Sequence, residues 1–342
     1  MAEITIAEVR LFLSRIQGKE VSLDKLRSEF RLNPEGKSWE SIRKMMERLT
    51  KEKLVRSFGR RDGNYKVITQ VRPVEVFGKQ RERRPIFRLM FPKSYETGME
   101  MDFAEHVVIR EHDLVTIGGQ SNWGKTTIAL NLCGENIDYN PVLMGNEYTI
   151  KSSNEDKEEN EDKEEYEPSP RFFDRLSNMD WIKWIDDEGK DRFTLLPVMD
   201  DYAEHIVRDK INIIDWVNLS ADRLYDVSKV MEDIKAELGR GIGIVVLQKG
   251  EGDMARGGQF TKDFTDCELL IDKFTDNESL LTVGKVKEHT GPIIGKTYAF
   301  GISKGIKIMN FREVKKCKAC YGRGYTKSGE CTLCMGMKYI DA

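Results

Sequence analysis

The chain has 342 residues, enough for two or three folded units, with 39% hydrophobic residues, 33% charged residues and a formal net charge of -3. A mean hydropathy of -0.53, with no apolar run approaching about 18 residues, speaks against a membrane span, so the sequence predicts no membrane partner and a cytoplasmic protein. Met1 to Phe12 carries Glu3 and Glu8 and lacks the basic, apolar, small-residue order of an export signal. The near-balanced charge hides segregation: Arg and Lys crowd residues 42 to 84, and acids crowd residues 155 to 167.

Ile6, Val9, Leu11, Phe12 and Ile16 recur at helical spacing and predict a first helix; Val21, Leu23, Leu26 and Phe30 predict a second. Ser38 is placed to cap a third. In it Trp39, Ile42, Met45, Met46 and Leu49 form an apolar side, with Lys37, Arg43, Lys44, Arg48 and Lys51 largely on the other. Two short strands, 54 to 58 and 64 to 68, flank the turn-forming Gly59-Arg60-Arg61-Asp62-Gly63. Residues 1 to 70 in this order resemble a winged helix-turn-helix domain. That resemblance implies a third helix in the major groove of duplex DNA and a wing on its backbone or minor groove, which singles out Arg43, Lys44, Arg48, Arg60 and Arg61. Assembly with protein is the alternative use of such a domain, its charges then only solvating a face.

Residues 71 to 104 read as a basic linker: Lys79 to Arg84 is strongly cationic, and Pro85 and Pro92 restrict the backbone. Beyond it, Leu114-Val115-Thr116-Ile117 is an apolar, β-branched run ending in glycines. Gly119-Gln120-Ser121-Asn122-Trp123-Gly124-Lys125-Thr126 follows, matching the phosphate-loop pattern G-x-x-x-x-G-K-[ST], and Thr127 opens a helix to Asn136. Glycines let backbone N–H groups turn in around triphosphate oxygens, Lys125 reaches the β and γ phosphates, Thr126 presents its hydroxyl to Mg²⁺, and the helix dipole favours the anion. Residues 119 to 127 are therefore the predicted nucleotide-binding set.

Three later strands end in groups that could complete such a site. Residues 141 to 147 end at Glu147, where a carboxylate can polarise the attacking water. The run Ile211 to Asp215 ends in a carboxylate placed to hold Mg²⁺ through water, and residues 242 to 248 end at Gln248, an amide able to sense a γ-phosphate. Between the first two, Lys151 to Pro170 has nine carboxylates and almost no apolar side chain, which predicts a disordered acidic insertion.

Phosphate loop, strand with Glu, strand with Asp and strand with Gln, in that order, resemble the RecA-type core over about residues 105 to 310, most of all DnaB-like hexameric replicative helicases and their recombinase relatives. The resemblance implies that Glu147 is the general base, that Asp215 binds Mg²⁺, and that Lys249, Arg256 and Lys262 meet phosphates of single-stranded DNA. It also implies a homo-oligomer, a hexameric ring, in which the segment Val283 to Pro292 enters the neighbour's ATP site. Lys285 and Lys287 are the cations of that segment, and Lys287 stands where Arg is usual, without its bidentate fork. The predicted function is an ATP-driven DNA helicase of a phage or mobile element. A recombination or repair filament ATPase and an ATP-switched DNA-binding regulator are the alternatives.

Cys317-x2-Cys320 and Cys331-x2-Cys334, ten residues apart, have the spacing of a tetrahedral Zn²⁺ site in a reducing compartment. Both halves resemble the C-x-x-C-x-G-x-G repeats of the DnaJ zinc region, the second with Lys338 in place of the last Gly. Lys315, Lys316, Lys318, Arg323 and Lys327 offer a surface for nucleic acid or for docking a partner; Cys133 and Cys267 read as core residues. The predicted fold class is α/β: a RecA-like, mostly parallel sheet with flanking helices over residues 105 to 312, an N-terminal winged helix, and a small C-terminal zinc knuckle over 313 to 342.

Overall fold

The computed structural model describes residues 4–33, 37–59, 62–69, 88–145, 147–151, 166–215, 217, 227–248 and 263–342. The chain divides into two compact units, Met1–Arg83 and Arg84–Ala342.

The first unit runs α1 (Ile6–Arg15), β1 (Glu20–Ser22), α2 (Leu23–Glu29), α3 (Lys37–Lys51), β2 (Val55–Ser57) and β3 (Asn64–Val67), its strands forming an antiparallel sheet in the order β1-β3-β2. Thr5 and Glu8 cap α1 reciprocally, each side chain bonding the other residue's backbone N–H. The second helix begins later than its apolar spacing predicts. Ser22 caps α2 by accepting from the backbone of Lys25 at 3.1 Å, and Glu20 to Ser22 pair with Asn64 to Lys66, so Val21 enters the core from a strand. Ile42, Met46 and Leu49 bury one face of α3 against Val9, Leu13, Leu26, Val55 and Val67, each contributing about 1.5–3 kcal/mol.

The second unit is built on a ten-stranded sheet. In chain order its elements are β4 (Leu114–Gly119), α4 (Lys125–Glu135), β5 (Val142–Met144), β6 (Thr149–Lys151), β7 (Tyr166–Pro168), α5 (Pro170–Ser177), β8 (Thr194–Leu196), β9 (Ile211–Ile214), α6 (Val227–Glu237), β10 (Ile242–Gln248) and β11 (Cys267–Lys273). Then come β12 (Glu278–Val286), β13 (Thr297–Ser303), β14 (Lys307–Lys316), β15 (Tyr325–Thr326), β16 (Gly329–Glu330) and β17 (Tyr339–Asp341). The sheet order is β17-β14-β13-β12-β11-β4-β10-β9-β5-β8. From β11 to β8 all neighbours are parallel, and β12, β13, β14 and β17 extend that block antiparallel. The parallel strands read as continuous apolar runs because both faces are covered: β4 and β9 are buried throughout, and α4 is buried from Thr127 to Gly134.

Two boundaries differ from the sequence reading. The basic linker ends before residue 104, since Leu89, Phe91, Met101 and Phe103 lie in the main core and Met90 exchanges hydrogen bonds with Asn136. The acidic insertion is narrower than 151 to 170, because Thr149–Lys151 pairs antiparallel with Tyr166–Pro168 and Pro170 opens α5; its residues 152–165 lie outside the described residues. The C-terminal segment is not a bead on a string. Val314 to Lys316 pair with Tyr339 to Asp341, so β17 returns the chain to the edge of the main sheet. Among the described residues no helix is long and apolar enough to cross a membrane.

Candidate nucleotide site and cysteine centre

Because β5, β9, β10 and β4 are adjacent and parallel, the residues that follow their C-terminal ends converge. Ser121, Asn122, Lys125, Thr126, Glu147, Asp215 and Gln248 line one cavity of about 210 Å³. The phosphate loop is shaped by steric need. A Cβ on Gly119 would lie 2.5 Å from the carbonyl oxygen of Ile271 on β11, and Gly124 caps α4 at φ +97 with Ile302 against the space a side chain would fill. Glycines at these two positions are thus required by packing as well as by the phosphates.

Lys125 donates from Nζ to the carbonyl of Gln120 at 2.7 Å, and burial lowers its pKa while Asp215 and Glu147 oppose the shift. Gln248 donates from Nε2 to Ser121 Oγ at 3.1 Å, which ties the end of β10 to the phosphate loop. The remaining loop residues do other work. Gln120 N–H bonds the Ile271 carbonyl, Trp123 packs on the core with Lys273 5.4 Å over its ring, and buried Thr127 donates its hydroxyl to Gly305 at 3.1 Å, so its side chain faces away from the cavity.

Asp215 is buried, and its Oδ2 accepts a hydrogen bond from the hydroxyl of Tyr148. Its other oxygen, Oδ1, is buried with no donor among the described residues. Burial pushes the carboxyl up, against the pull of Tyr148 and of Thr126 beside it. A buried carboxylate oxygen left without a proton donor, next to the Thr126 hydroxyl and opening on a phosphate loop, fits Mg²⁺. Glu147 is exposed at the mouth, and its backbone is fixed where Ser169 Oγ donates to its carbonyl at 3.0 Å.

Tyr148 gives no signal in the sequence, because its partner lies 67 residues away. Its ring packs on Phe172 of α5, centroids 4.7 Å apart, and with Arg171 and Arg175 it lines an adjoining cavity that shares Glu147 with the first. Removing the hydroxyl leaves a second buried oxygen of Asp215 unsatisfied. Tyr148→Phe should therefore lose about 1–3 kcal/mol of stability in metal-free urea denaturation; unchanged stability would show that the hydroxyl does not hold Asp215.

Lys285 and Lys287 do not join this cavity within one chain. Strand pairing aligns Val286 with Cys267 and Cys267 with Val115, at the opposite end of the sheet from the phosphate loop. There Lys287 Nζ lies 3.0 Å from Asp266 Oδ1, and this pairing raises its pKa; Lys235 shares the same carboxylate. Arg43, Lys44 and Arg48 are exposed on α3, with Arg48 3.0 Å from Glu52. Arg60, Arg61, Lys249, Arg256 and Lys262 lie outside the described residues.

The sulfurs of Cys317, Cys320, Cys331 and Cys334 all lie within 4.8 Å of one another and are buried. Cys317 to Cys331 is 3.8 Å and Cys320 to Cys334 is 3.6 Å. Tetrahedral Zn–S bonds of about 2.3 Å require S···S edges of about 3.8 Å, far from the roughly 2.05 Å of a disulfide. The N–H of Gly324 donates to Cys320 Sγ at 3.3 Å, as a thiolate on a metal would attract it. These four residues fit Zn²⁺.

The strand order and the loop define an α/β fold around a block of parallel strands, and the same unit carries a four-cysteine centre. No protein family and no curated protein matches the sequence. Among solved structures the chain is similar to a KaiC-like protein from the hyperthermophilic archaeon Pyrococcus horikoshii OT3, at 15% identity and a TM-score of 0.44, over 66% of this chain and 99% of that one. It is also similar to the RadB recombinase, at 14% identity and a TM-score of 0.41, over 59% of this chain and 92% of that one.

Proposed function

We propose that the chain is an ATP-hydrolysing DNA motor, a replicative helicase in which ATP binds between subunits of a ring. The carrying observation is the convergence of Lys125, Thr126, Glu147, Asp215 and Gln248 on one cavity. In this reading Lys125 leaves the Gln120 carbonyl for the β and γ phosphates, and the N-terminus of α4 faces the same charge. Thr126 and Asp215 would hold Mg²⁺, which would supply charge to offset the phosphates. Glu147 takes the proton of the attacking water, and Gln248, already bonded to Ser121, reports the γ-phosphate to the segment that follows β10.

Lys285 and Lys287, remote from the cavity of their own chain, serve a neighbour's ATP in this reading, and Lys287 exchanges Asp266 for phosphate. The helix and strand order of the first unit supports a winged helix whose α3 presents Arg43, Lys44 and Arg48 to duplex DNA. The 249–262 segment supplies Lys249, Arg256 and Lys262 to a single strand. A forked DNA substrate tests the motor. ATP hydrolysis stimulated by single-stranded DNA together with strand displacement is expected; stimulation with a continuous filament and no displacement would favour the recombinase alternative instead.

A further inference from the structure

The cysteine centre repeats a backbone pattern. Cys320 is followed by Tyr321 and Gly322 at φ 52 and 76, and Cys334 by Met335 and Gly336 at φ 47 and 75. Left-handed backbone suits glycine or asparagine, yet each half spends its first such position on a large apolar side chain. Neither is used for packing: Tyr321 is 79% and Met335 73% exposed, and Tyr325 nearby is 61% exposed. Between residues 315 and 338 the sequence has six cations, Lys315, Lys316, Lys318, Arg323, Lys327 and Lys338, against one carboxylate, Glu330. No ion pair engages any of the six among the described residues.

We propose that the outer surface of this knuckle binds single-stranded nucleic acid, with bases stacking on Tyr321 and Tyr325 and phosphates meeting Lys315, Lys318, Arg323 and Lys327. Exposed phenol rings set among unneutralised cations meet the two needs of a flexible polyanion with free base faces. Duplex DNA hides those faces, and an apolar protein partner would leave the cations without counter-charge. Strand pairing puts Lys316 at the end of the sheet away from the phosphate loop, so this contact is separate from the nucleotide cavity and does not rest on ATP hydrolysis.

The test uses the full zinc-loaded chain without nucleotide and a fluorescein-labelled oligothymidylate of about thirty residues, read by anisotropy. Tyr321→Ala with Tyr325→Ala should weaken binding at least about tenfold at unchanged zinc content. Lys315→Gln, Lys318→Gln and Lys327→Gln together should flatten the slope of log affinity against log salt by about 2. In the unaltered protein, a 5-iododeoxyuridine oligonucleotide should photo-crosslink to Tyr321 or Tyr325, a readout that stands even if the tyrosine variant sheds its zinc. Affinity within about twofold in both variants, with no crosslink between residues 315 and 338, would overturn the proposal and leave this surface to a protein partner.

Discussion

Glu147→Gln should lower ATP hydrolysis about 10²–10⁴-fold while leaving nucleotide binding intact, because a positioned general base contributes that much and the amide keeps the shape of the carboxylate. Geometry makes the separation clean. Glu147 lies exposed at the mouth of the cavity, held by the Ser169 bond to its backbone, whereas Ser121, Asn122, Lys125 and Thr126, proposed to cradle the phosphates, line the cavity from another element. Titration of a fluorescent ATP analogue checks the binding half, and steady-state phosphate release the catalytic half. A variant that hydrolyses at the native rate would remove Glu147 from the chemistry and turn attention to Arg171 and Arg175 beside it.

The second large effect concerns the cysteine centre. Structural Zn²⁺ contributes about 10–16 kcal/mol in isolated zinc-finger peptides; here β14 pairs with β17 at the base of the knuckle, and a metal held by the four cysteines would close its other side. The native chain should therefore retain one Zn²⁺ through dialysis against a mild chelator. Cys331→Ser should retain none and expose residues 317 to 341 to rapid amide exchange while the sheet from β4 to β11 stays protected. A native chain without zinc, its cysteines found as disulfides, would contradict this reading.

Much of the candidate nucleotide site was legible because its residues end apolar, β-branched runs, as parallel strands buried on both faces do. The phosphate loop, Glu147, Asp215 and Gln248 share that grammar, and the sheet brings them together. Groups whose partners are remote in sequence were not legible. Tyr148 meets Asp215, Lys287 meets Asp266 and Thr127 meets Gly305, and no local spacing announces any of these pairs. Val21 was misplaced for a related reason. Its apolar neighbours fit a helical period, but Ser22 competes for the backbone as a cap, and pairing with Tyr65 decides the strand. The cysteine spacing was readable as a metal site; that its ends are strands of the main sheet was not, since β14 and β17 are short of any turn signal linking them.

The most direct test of the central claim is Mg²⁺-dependent ATP hydrolysis by the full chain beside its Lys125→Ala variant. Turnover in the native protein that falls at least about a hundredfold in the variant, with unfolding temperature unchanged, is the predicted result. Equal turnover in the two proteins would contradict the assignment of the cavity as the site of phosphate transfer.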